Sequence, residues 1–186
     1  MKNVCFLFGI NGVGKSALAQ AIAASIVGTA VISASDCLRA ELGGLSRERL
    51  EALDPAVKHE AKRRSLLRMF DACKSARFVL CDSHLVVPIR SDASLRYERM
   101  WDDAFAQHAF AAIHVIAPTE IVVQRRKSDA EQGVRTRRVD PREITADARA
   151  ATAEFAAVFQ DHPRAHTVTN IGPIEHVASR IIQAMS

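Results

Sequence analysis

A glycine-rich segment near the start of the chain constrains the fold more than any other feature. Residues 9–16 read GINGVGKS and fit G-x-x-x-x-G-K-[ST], a phosphate-binding loop that joins a buried strand to a helix. The preceding residues 3–8 form a nearly continuous apolar run, typical of a strand buried on both faces of a parallel sheet. The following residues 17–27 are rich in alanine and predict a helix. Strand, loop and helix therefore come in the order that this motif requires.

The residue types of this loop predict how it would hold a nucleoside triphosphate. Glycines allow successive backbone N–H groups to converge on a phosphate, which also faces the positive end of the helix dipole. We expect Lys15 to reach the β- and γ-phosphates and the Ser16 hydroxyl to bind Mg²⁺. ATP and Mg²⁺ are therefore the predicted cofactors. The residues predicted to contact the nucleotide are Gly9, Asn11, Gly12, Val13, Gly14, Lys15, Ser16 and Ala17.

Length, charge and cysteine content limit the class of protein. The 186 residues suit one domain, spanning 1–186. The net charge of +4 is a mild excess, and we see no dedicated nucleic-acid surface in it. No apolar run approaches the ~18 residues of a membrane span, and the first strand begins too early for a cleaved signal peptide. Scattered cysteines without a C-x-x-C pair indicate reduced thiols, so we expect a cytoplasmic protein that does not bind membranes.

Apolar runs alternate with helical patterns along the rest of the chain. Further strands are predicted at 29–33, 78–81, 111–117 and 166–170, with helices at 37–42, 55–75, 118–126, 144–159 and 174–185. Residues 85–96, which contain Pro88, look irregular, and 97–108 look helical. His114, inside a strand, is interpreted as a core histidine with its hydrogen bonds satisfied. The alternation predicts a three-layer α/β domain of the P-loop NTPase type, with a five-stranded parallel sheet and helices on both faces.

An acidic residue closes the apolar strand 78–81. Asp82 stands where a second phosphate-loop element would bind Mg²⁺ directly or through water, beside Ser16. The alternative is a helix N-cap at the end of the strand. His84 follows at the carboxyl edge of the sheet, where ligands bind in open α/β folds.

Residues 127–142 hold several arginines and are interrupted by glycine and proline, which predicts an arginine-rich lid. Arg135, Arg137 and Arg138 could neutralise a transferring phosphoryl group and exclude water when the lid closes. A solvated basic loop is the alternative. Arg39, after the second strand, is a further cation on the predicted phosphate side.

Several of these segments together resemble the adenylate kinase-like nucleoside monophosphate kinases, and most closely the archaeal-type adenylate kinases. Residues 33–40 (SASDCLRA) resemble S-T-G-D-x-L-R-A, and 79–84 (VLCDSH) resemble V-I-V-D-T-H. Residues 125–126 and 135–138 resemble the R-R…R-x-R lid segment. The chain departs from the family pattern at Ala34, where the family has threonine, and lacks G-F-P-R after Asp82; Arg90 is a candidate replacement.

The resemblance implies roles for residues outside the loop. Residues of about 33–75 would bind the acceptor, with Arg39 holding its phosphate, Asp36 in the same segment and His84 near the substrates. A lid at about 127–142, together with Arg126, Arg135, Arg137 and Arg138, would clamp the phosphates of both nucleotides.

Three functions are compatible with these patterns. The first is ATP-dependent phosphoryl transfer to a nucleoside monophosphate, with AMP as the first candidate acceptor and direct in-line transfer. The second is a P-loop kinase acting on a nucleoside, sugar or other hydroxyl. The third is a nucleotide switch or assembly ATPase, because the loop alone does not determine the reaction. The sequence carries no prediction of the oligomeric state.

Overall fold

The computed structural model describes residues 3–45, 49, 53–91, 94–101, 109–134 and 136–185. The strands are β1 (Val4–Phe8), β2 (Thr29–Ser33), β3 (Phe78–Asp82), β4 (Val86–Ser91), β5 (Ser94–Arg99), β6 (Ala111–Ile116) and β7 (Ala165–Thr169). The helices are α1 (Lys15–Ser25), α2 (Ala34–Glu41), α3 (Pro55–Ala72), α4 (Thr119–Glu131), α5 (Pro141–Phe159) and α6 (Ile174–Met185).

Five of the strands form one parallel sheet in the order β2-β3-β1-β6-β7. The α/β fold with a five-stranded parallel sheet is therefore confirmed. Strand β1 lies in the middle and is buried along its whole length, which explains its unbroken apolar sequence. The glycine-rich segment consequently leaves the centre of the sheet at its carboxyl edge.

Alternate residues of β1 enter two separate apolar layers, because successive side chains of a strand point to opposite faces. Leu7 packs in a cluster with Leu18 of α1 and Ile181 of α6. Phe6 and Phe8 pack on the other side, in a cluster with residues of α3 and α5, including Phe155. The helices on both faces thus fix the position of the strand that carries the phosphate loop.

Three helices begin at residues with polar caps. Ser33 Oγ accepts a hydrogen bond from the N–H of Asp36, so α2 starts before the predicted residue 37. Asp54 and Asp140 each cap a helix whose first residue is proline, Pro55 and Pro141 respectively. Helix α5 therefore begins three residues before the predicted position 144, since proline at the first position starts a helix rather than ending one.

The region after β3 contains an antiparallel hairpin that the sequence analysis missed. Strands β4 and β5 pair with each other, with Pro88 opposite Tyr97, so the irregular segment and the helix predicted from residue 97 are both wrong there. Pro88 is tolerated because a strand in a two-stranded hairpin is an edge strand with one unpaired side. The rest of the predicted helix, 102–108, lies outside the described residues. So do most of residues 46–50, whose sequence also favours a short helical start.

The segment predicted as a lid is only partly irregular. Its first residues, 127–131, continue helix α4, and Pro141 and Arg142 already belong to α5. The backbone between these two helices, apart from residue 135, which is not described, is turn or irregular. Within the described part of the chain, no helix is both long and apolar enough to cross a membrane.

Candidate phosphate-binding site

The phosphate loop, defined here as residues 9–16, folds around the ammonium group of its own lysine. Lys15 Nζ donates to the carbonyl oxygens of Gly9 at 2.9 Å and Ile10 at 3.1 Å, and lies 3.7 Å from Asp82 Oδ1. The Lys15 side chain is only 5% exposed. This cation is therefore held inside the loop, at the point where strand β1 becomes helix α1.

The two residues predicted to bind Mg²⁺ lie next to each other. Ser16 Oγ donates to Asp82 Oδ2 at 2.5 Å, although 66 residues separate them in sequence. The contact follows from the parallel register, in which Leu7 of β1 lies opposite Asp82 of β3. A hydroxyl and a carboxylate, both hard oxygen donors, fit a magnesium ion at this position.

His84 contacts the start of the same loop. Its Nδ1 lies 2.8 Å from the Gly9 carbonyl oxygen, and because a carbonyl can only accept, Nδ1 must carry the proton. Trp101 Nε1 donates to the His84 carbonyl at 2.6 Å and to Ser83 Oγ at 3.0 Å. The residues that follow Asp82 are thus fixed against the loop.

Two glycines of the loop allow close approaches that a side chain would prevent. A Cβ on Gly9 would lie 2.3 Å from the Val115 carbonyl oxygen. A Cβ on Gly14 would lie 2.4 Å from Asn170 Nδ2, and Gly14 has a φ of 93°. Glycine is required at both positions because the neighbouring backbone or buried side chain has no room to move.

Arg126 is buried and donates to backbone carbonyls on both sides of the site. Its Nε and Nη2 reach the Asn11 carbonyl oxygen at 3.2 and 2.8 Å, and Nη1 reaches the Arg138 carbonyl oxygen at 2.7 Å. Burial and then the nearby Arg137 lower the pKa of Arg126. The structure therefore places Arg126 between the phosphate loop and the segment that leads into α5.

Asn170 was not predicted as a site residue, and Arg125 entered only through the segment that resembles the lid motif, yet both contact the loop. Arg125 Nη1 donates to the Val13 carbonyl oxygen at 2.9 Å, and Asn170 Nδ2 donates to the same oxygen at 2.7 Å. Asn170 directly follows β7 at the carboxyl edge of the sheet. Asn170 could have been predicted from the rule that ligands bind at the carboxyl edge of the sheet. Arg125 could have been predicted as a site residue because it is adjacent to Arg126.

The remaining predicted lid arginines contact acidic residues near the site. Arg137 Nη1 lies 3.7 Å from Asp129 Oδ2, and its side chain is mostly buried. Arg138 Nη1 donates to Glu143 Oε1 at 2.9 Å, and its side chain is 67% exposed. Arg135 lies outside the described residues.

Asp36 and Arg39 form an exposed ion pair with each other on α2. This helix starts at the residue after Ser33, which lies opposite Asp82 in the sheet, so α2 begins beside the Mg²⁺ candidates. Both side chains are 58% exposed. The pair is therefore accessible to a small molecule at the carboxyl edge.

A second charged cluster, also missed from the sequence, joins the β4–β5 hairpin to helix α5. Arg90 Nη2 donates to Asp147 Oδ1 at 2.7 Å, and its Nε lies 3.3 Å from Glu143 Oε2. Tyr97 donates its hydroxyl to the same Asp147 oxygen at 3.0 Å. Burial and the Asp147 carboxylate raise the pKa of Tyr97 to about 12. The Arg90 guanidinium is thus paired with two carboxylates, those of Asp147 and Glu143.

His114 is a core residue, as predicted, but the prediction that its hydrogen bonds are satisfied is wrong. Its ring stacks on Phe155, and Nδ1 has no hydrogen-bond partner among the residues that the structure describes. Burial, followed by the charge of Lys15, lowers the pKa of His114 to about 4. The imidazole is therefore neutral at pH 7.

Comparisons with known proteins agree with the fold and the loop. The sequence profile of an AAA domain family, AAA_17, matches residues 8–146. No curated protein matches the sequence. A shikimate kinase from Bacteroides thetaiotaomicron superposes with a TM-score of 0.65 at 14% identity, covering 97% of both chains.

Two other solved structures are similar over nearly the whole chain. TT1252 from Thermus thermophilus has a TM-score of 0.60 at 20% identity, over 98% of this chain and 95% of that one. A gluconokinase from Sinorhizobium meliloti 1021 has a TM-score of 0.58 at 13% identity, over 98% of this chain and 91% of that one. At these identities the similarity establishes a P-loop kinase-like fold.

Proposed function

We propose a kinase function for this chain, which belongs to the AAA domain family AAA_17. Specifically, it would transfer the γ-phosphoryl group of ATP to a nucleoside monophosphate, with AMP the first candidate. The observation that carries the proposal is the convergence of Lys15 and Ser16 of the phosphate loop with Asp82 of β3 at the carboxyl edge of the sheet. A lysine, a hydroxyl and a carboxylate in this arrangement are the parts that hold a nucleotide's phosphates for transfer.

The loop's own groups would bind and orient the donor. Lys15 Nζ now donates to the Gly9 and Ile10 carbonyls, and a triphosphate would offer it more strongly charged acceptors. Backbone N–H groups at the start of α1 would contact the same phosphates, aided by the helix dipole. Transfer would then be in line, without a covalent enzyme intermediate, because positioning and charge supply most of the catalysis.

Ser16 and Asp82 are the residues that would hold Mg²⁺, and their oxygen atoms fit that ion. When bound, Mg²⁺ supplies positive charge that neutralises the phosphate oxygens during transfer.

Arg39 is the proposed contact for the acceptor's phosphate, and the arginines near α5 are the proposed contacts for the transferring group. Arg39 is accessible on α2, beside the strand that ends in Asp82. Arg137 and Arg138 precede α5, and their segment is tied to the loop through Arg126. Arg126 and Arg135 would complete the clamp, and His84 would lie close to both substrates.

A phosphate-free hydroxyl acceptor is the second candidate. Arg39 is already paired with the Asp36 carboxylate, so part of its charge is neutralised. A carboxylate beside an arginine suits a polyhydroxy acid, since one group can accept from a hydroxyl while the other binds a carboxylate. The structures that superpose on this chain include a shikimate kinase and a gluconokinase.

An acceptor panel tests the proposal. Purified protein with Mg-ATP is offered AMP, CMP, UMP and GMP, and separately shikimate and gluconate, and products are separated by anion-exchange chromatography. We expect a nucleoside diphosphate from at least one monophosphate, and a large rise in that acceptor's KM in Arg39→Ala. Arg99→Ala removes an arginine of β5 that pairs with Glu154 and serves as the control.

Two outcomes decide between the candidates. Phosphorylation of shikimate or gluconate, with no diphosphate formed from any monophosphate, would overturn the monophosphate proposal in favour of the second candidate. ATP hydrolysis with no phosphorylated acceptor from either group would overturn both.

A further inference from the structure

We infer that Arg125 and Asn170 are positioning residues that keep the phosphate loop in its binding conformation. They hold the Val13 carbonyl oxygen on the side away from the phosphate. The inference rests on the proposed function, because it assigns their role at the same loop. Neither residue is required to touch the reacting atoms.

The three groups form a closed set of hydrogen bonds. Arg125 Nη1 and Asn170 Nδ2 donate to the Val13 oxygen at 2.9 and 2.7 Å, and Arg125 Nη2 donates to the Asn170 carbonyl at 3.2 Å. The Asn170 N–H donates to the Ile116 carbonyl at 2.8 Å, which fixes Asn170 to the end of β6. Only 3% of Asn170 is exposed. The Val13 carbonyl is therefore held from a rigid sheet edge.

Fixing this carbonyl also fixes the direction of the next N–H group. The Val13 carbonyl and the Gly14 N–H belong to one peptide plane, and in a trans peptide they point in opposite directions. Because two donors hold the Val13 oxygen on the side away from the phosphate, the Gly14 N–H points towards the phosphate. A flip of this peptide would instead point the Val13 carbonyl oxygen, with its partial negative charge, at the phosphate.

A flip is a real possibility here unless something opposes it, because Gly14 has no side chain to restrict its backbone. Asn170 lies so close to Gly14 that a Cβ would come within 2.4 Å of Nδ2. The same asparagine thus requires glycine at this position and restrains it. This explains why a buried polar side chain is placed against the loop.

Arg126 acts on the preceding part of the loop in the same way. It donates twice to the Asn11 carbonyl, which belongs to the peptide of the Gly12 N–H. The loop's glycines are therefore restrained by donors that come from α4 and from the end of β7.

Nucleotide binding to an Asn170→Ala variant tests the inference. Isothermal titration calorimetry with Mg-ADP and with magnesium tripolyphosphate is performed well below the unfolding temperature. We expect each Kd to rise about fivefold, the usual effect of losing one hydrogen bond. The two probes should lose affinity equally, because they share only the phosphate groups.

Asn3→Ala is the matched control. Asn3 Nδ2 also donates to a backbone carbonyl at 2.7 Å, that of Arg77, but at the opposite edge of the sheet. We expect it to leave both Kd values unchanged. If Asn170→Ala does not fold, Arg125→Met is used, which removes the other donor and keeps an apolar stem.

The outcomes separate this inference from the proposed function. Wild-type protein that binds neither probe would overturn both. A folded Asn170→Ala or Arg125→Met variant that binds both probes as tightly as the wild type would overturn the inference alone. A loss of ADP affinity without a loss of tripolyphosphate affinity would also overturn it, because the effect would then lie at the nucleoside.

Discussion

The phosphate loop and the β4–β5 hairpin each involve arginines that are buried or half-buried, but the groups that accept from those arginines differ. At the loop, Arg125 and Arg126 donate to the neutral backbone carbonyls of Val13, Asn11 and other residues. At the hairpin, Arg90 donates to Asp147 and approaches Glu143, so its charge is neutralised. Carbonyls satisfy N–H donors without cancelling their charge.

This difference indicates how one sheet edge can present two electrostatic environments. The loop keeps the positive charge of Arg125 and Arg126, which suits a polyphosphate, whereas Lys15 lies 3.7 Å from the Asp82 carboxylate. The hairpin is attached to α5 through pairs of opposite charges. The cost of burying a charge is met at the loop by many hydrogen bonds and at the hairpin by opposite charges.

The largest expected effect tests whether the loop's charge is used in catalysis. Lys15→Ala should lower kcat by about 10²- to 10³-fold, because one preorganised charge on the transferring group is removed. Steady-state kinetics with the best acceptor would measure it. Arg164→Ala, which removes one positive charge just before β7 at the other sheet edge, should leave kcat unchanged. An unchanged kcat in Lys15→Ala would contradict the role of the lysine.

The second effect is a pH dependence of the free energy of unfolding, and it arises from His114, a buried residue of β6. His114 has a folded-state pKa of about 4, against an unfolded value near 6.5, so the unfolded chain binds its proton first as the pH falls. We expect the free energy of unfolding to fall between about pH 6.5 and pH 4, by about 3 kcal/mol in total from this residue.

Urea denaturation across this pH range would measure the effect of His114. His114→Phe, which keeps a ring against Phe155, should remove that part of the pH dependence. If the variant and wild type lose stability in parallel, the histidine is not responsible.

The third effect tests whether the hairpin is only an attachment. Asp147→Asn should lower the free energy of unfolding by about 2 kcal/mol, because Arg90 loses a buried opposite charge. The Kd for Mg-ADP, measured by calorimetry, should not change. Tyr97→Phe removes only the hydroxyl donor to the same carboxylate and should cost about 1 kcal/mol. A weakened Kd for Mg-ADP would show that hairpin and loop are coupled.

The smallest effect concerns the exposed arginine before α5. Arg138→Ala should lower kcat about tenfold and change the KM for ATP less, if the segment moves its charge onto the transferring group. Arg149→Ala, on the exposed side of α5, is the control. A raised KM with unchanged kcat would instead make Arg138 a simple binding residue.

Features carried by contiguous sequence were predictable. The loop is one uninterrupted motif, and Asp82 ends an apolar strand, so their meeting follows once both strands are placed in a parallel sheet. The β4–β5 hairpin was missed because Pro88 usually interrupts a strand, and only the edge position of β4 makes it acceptable. Local patterns therefore identified the catalytic candidates but not their surroundings.

Contacts across long sequence separations were not predictable. Asn170 and Val13 are 157 residues apart, and no motif links an asparagine after the last strand to a glycine loop after the first. The lack of a hydrogen-bond partner for His114 Nδ1 likewise depends on which rings pack around it. Such features follow from the tertiary arrangement alone.

The position of Asn170 after β7 has a consequence for the order of events during folding. Among the strands that the structure describes, β7 pairs with β6 alone, at the edge of the sheet, so it can join after the central strands have assembled. Until it does, residues 9–16 lack one of the donors that shape them. During synthesis on the ribosome, a chain that has already emerged through α5 would therefore bind a polyphosphate more weakly, and full affinity would arrive only when β7 joins the sheet.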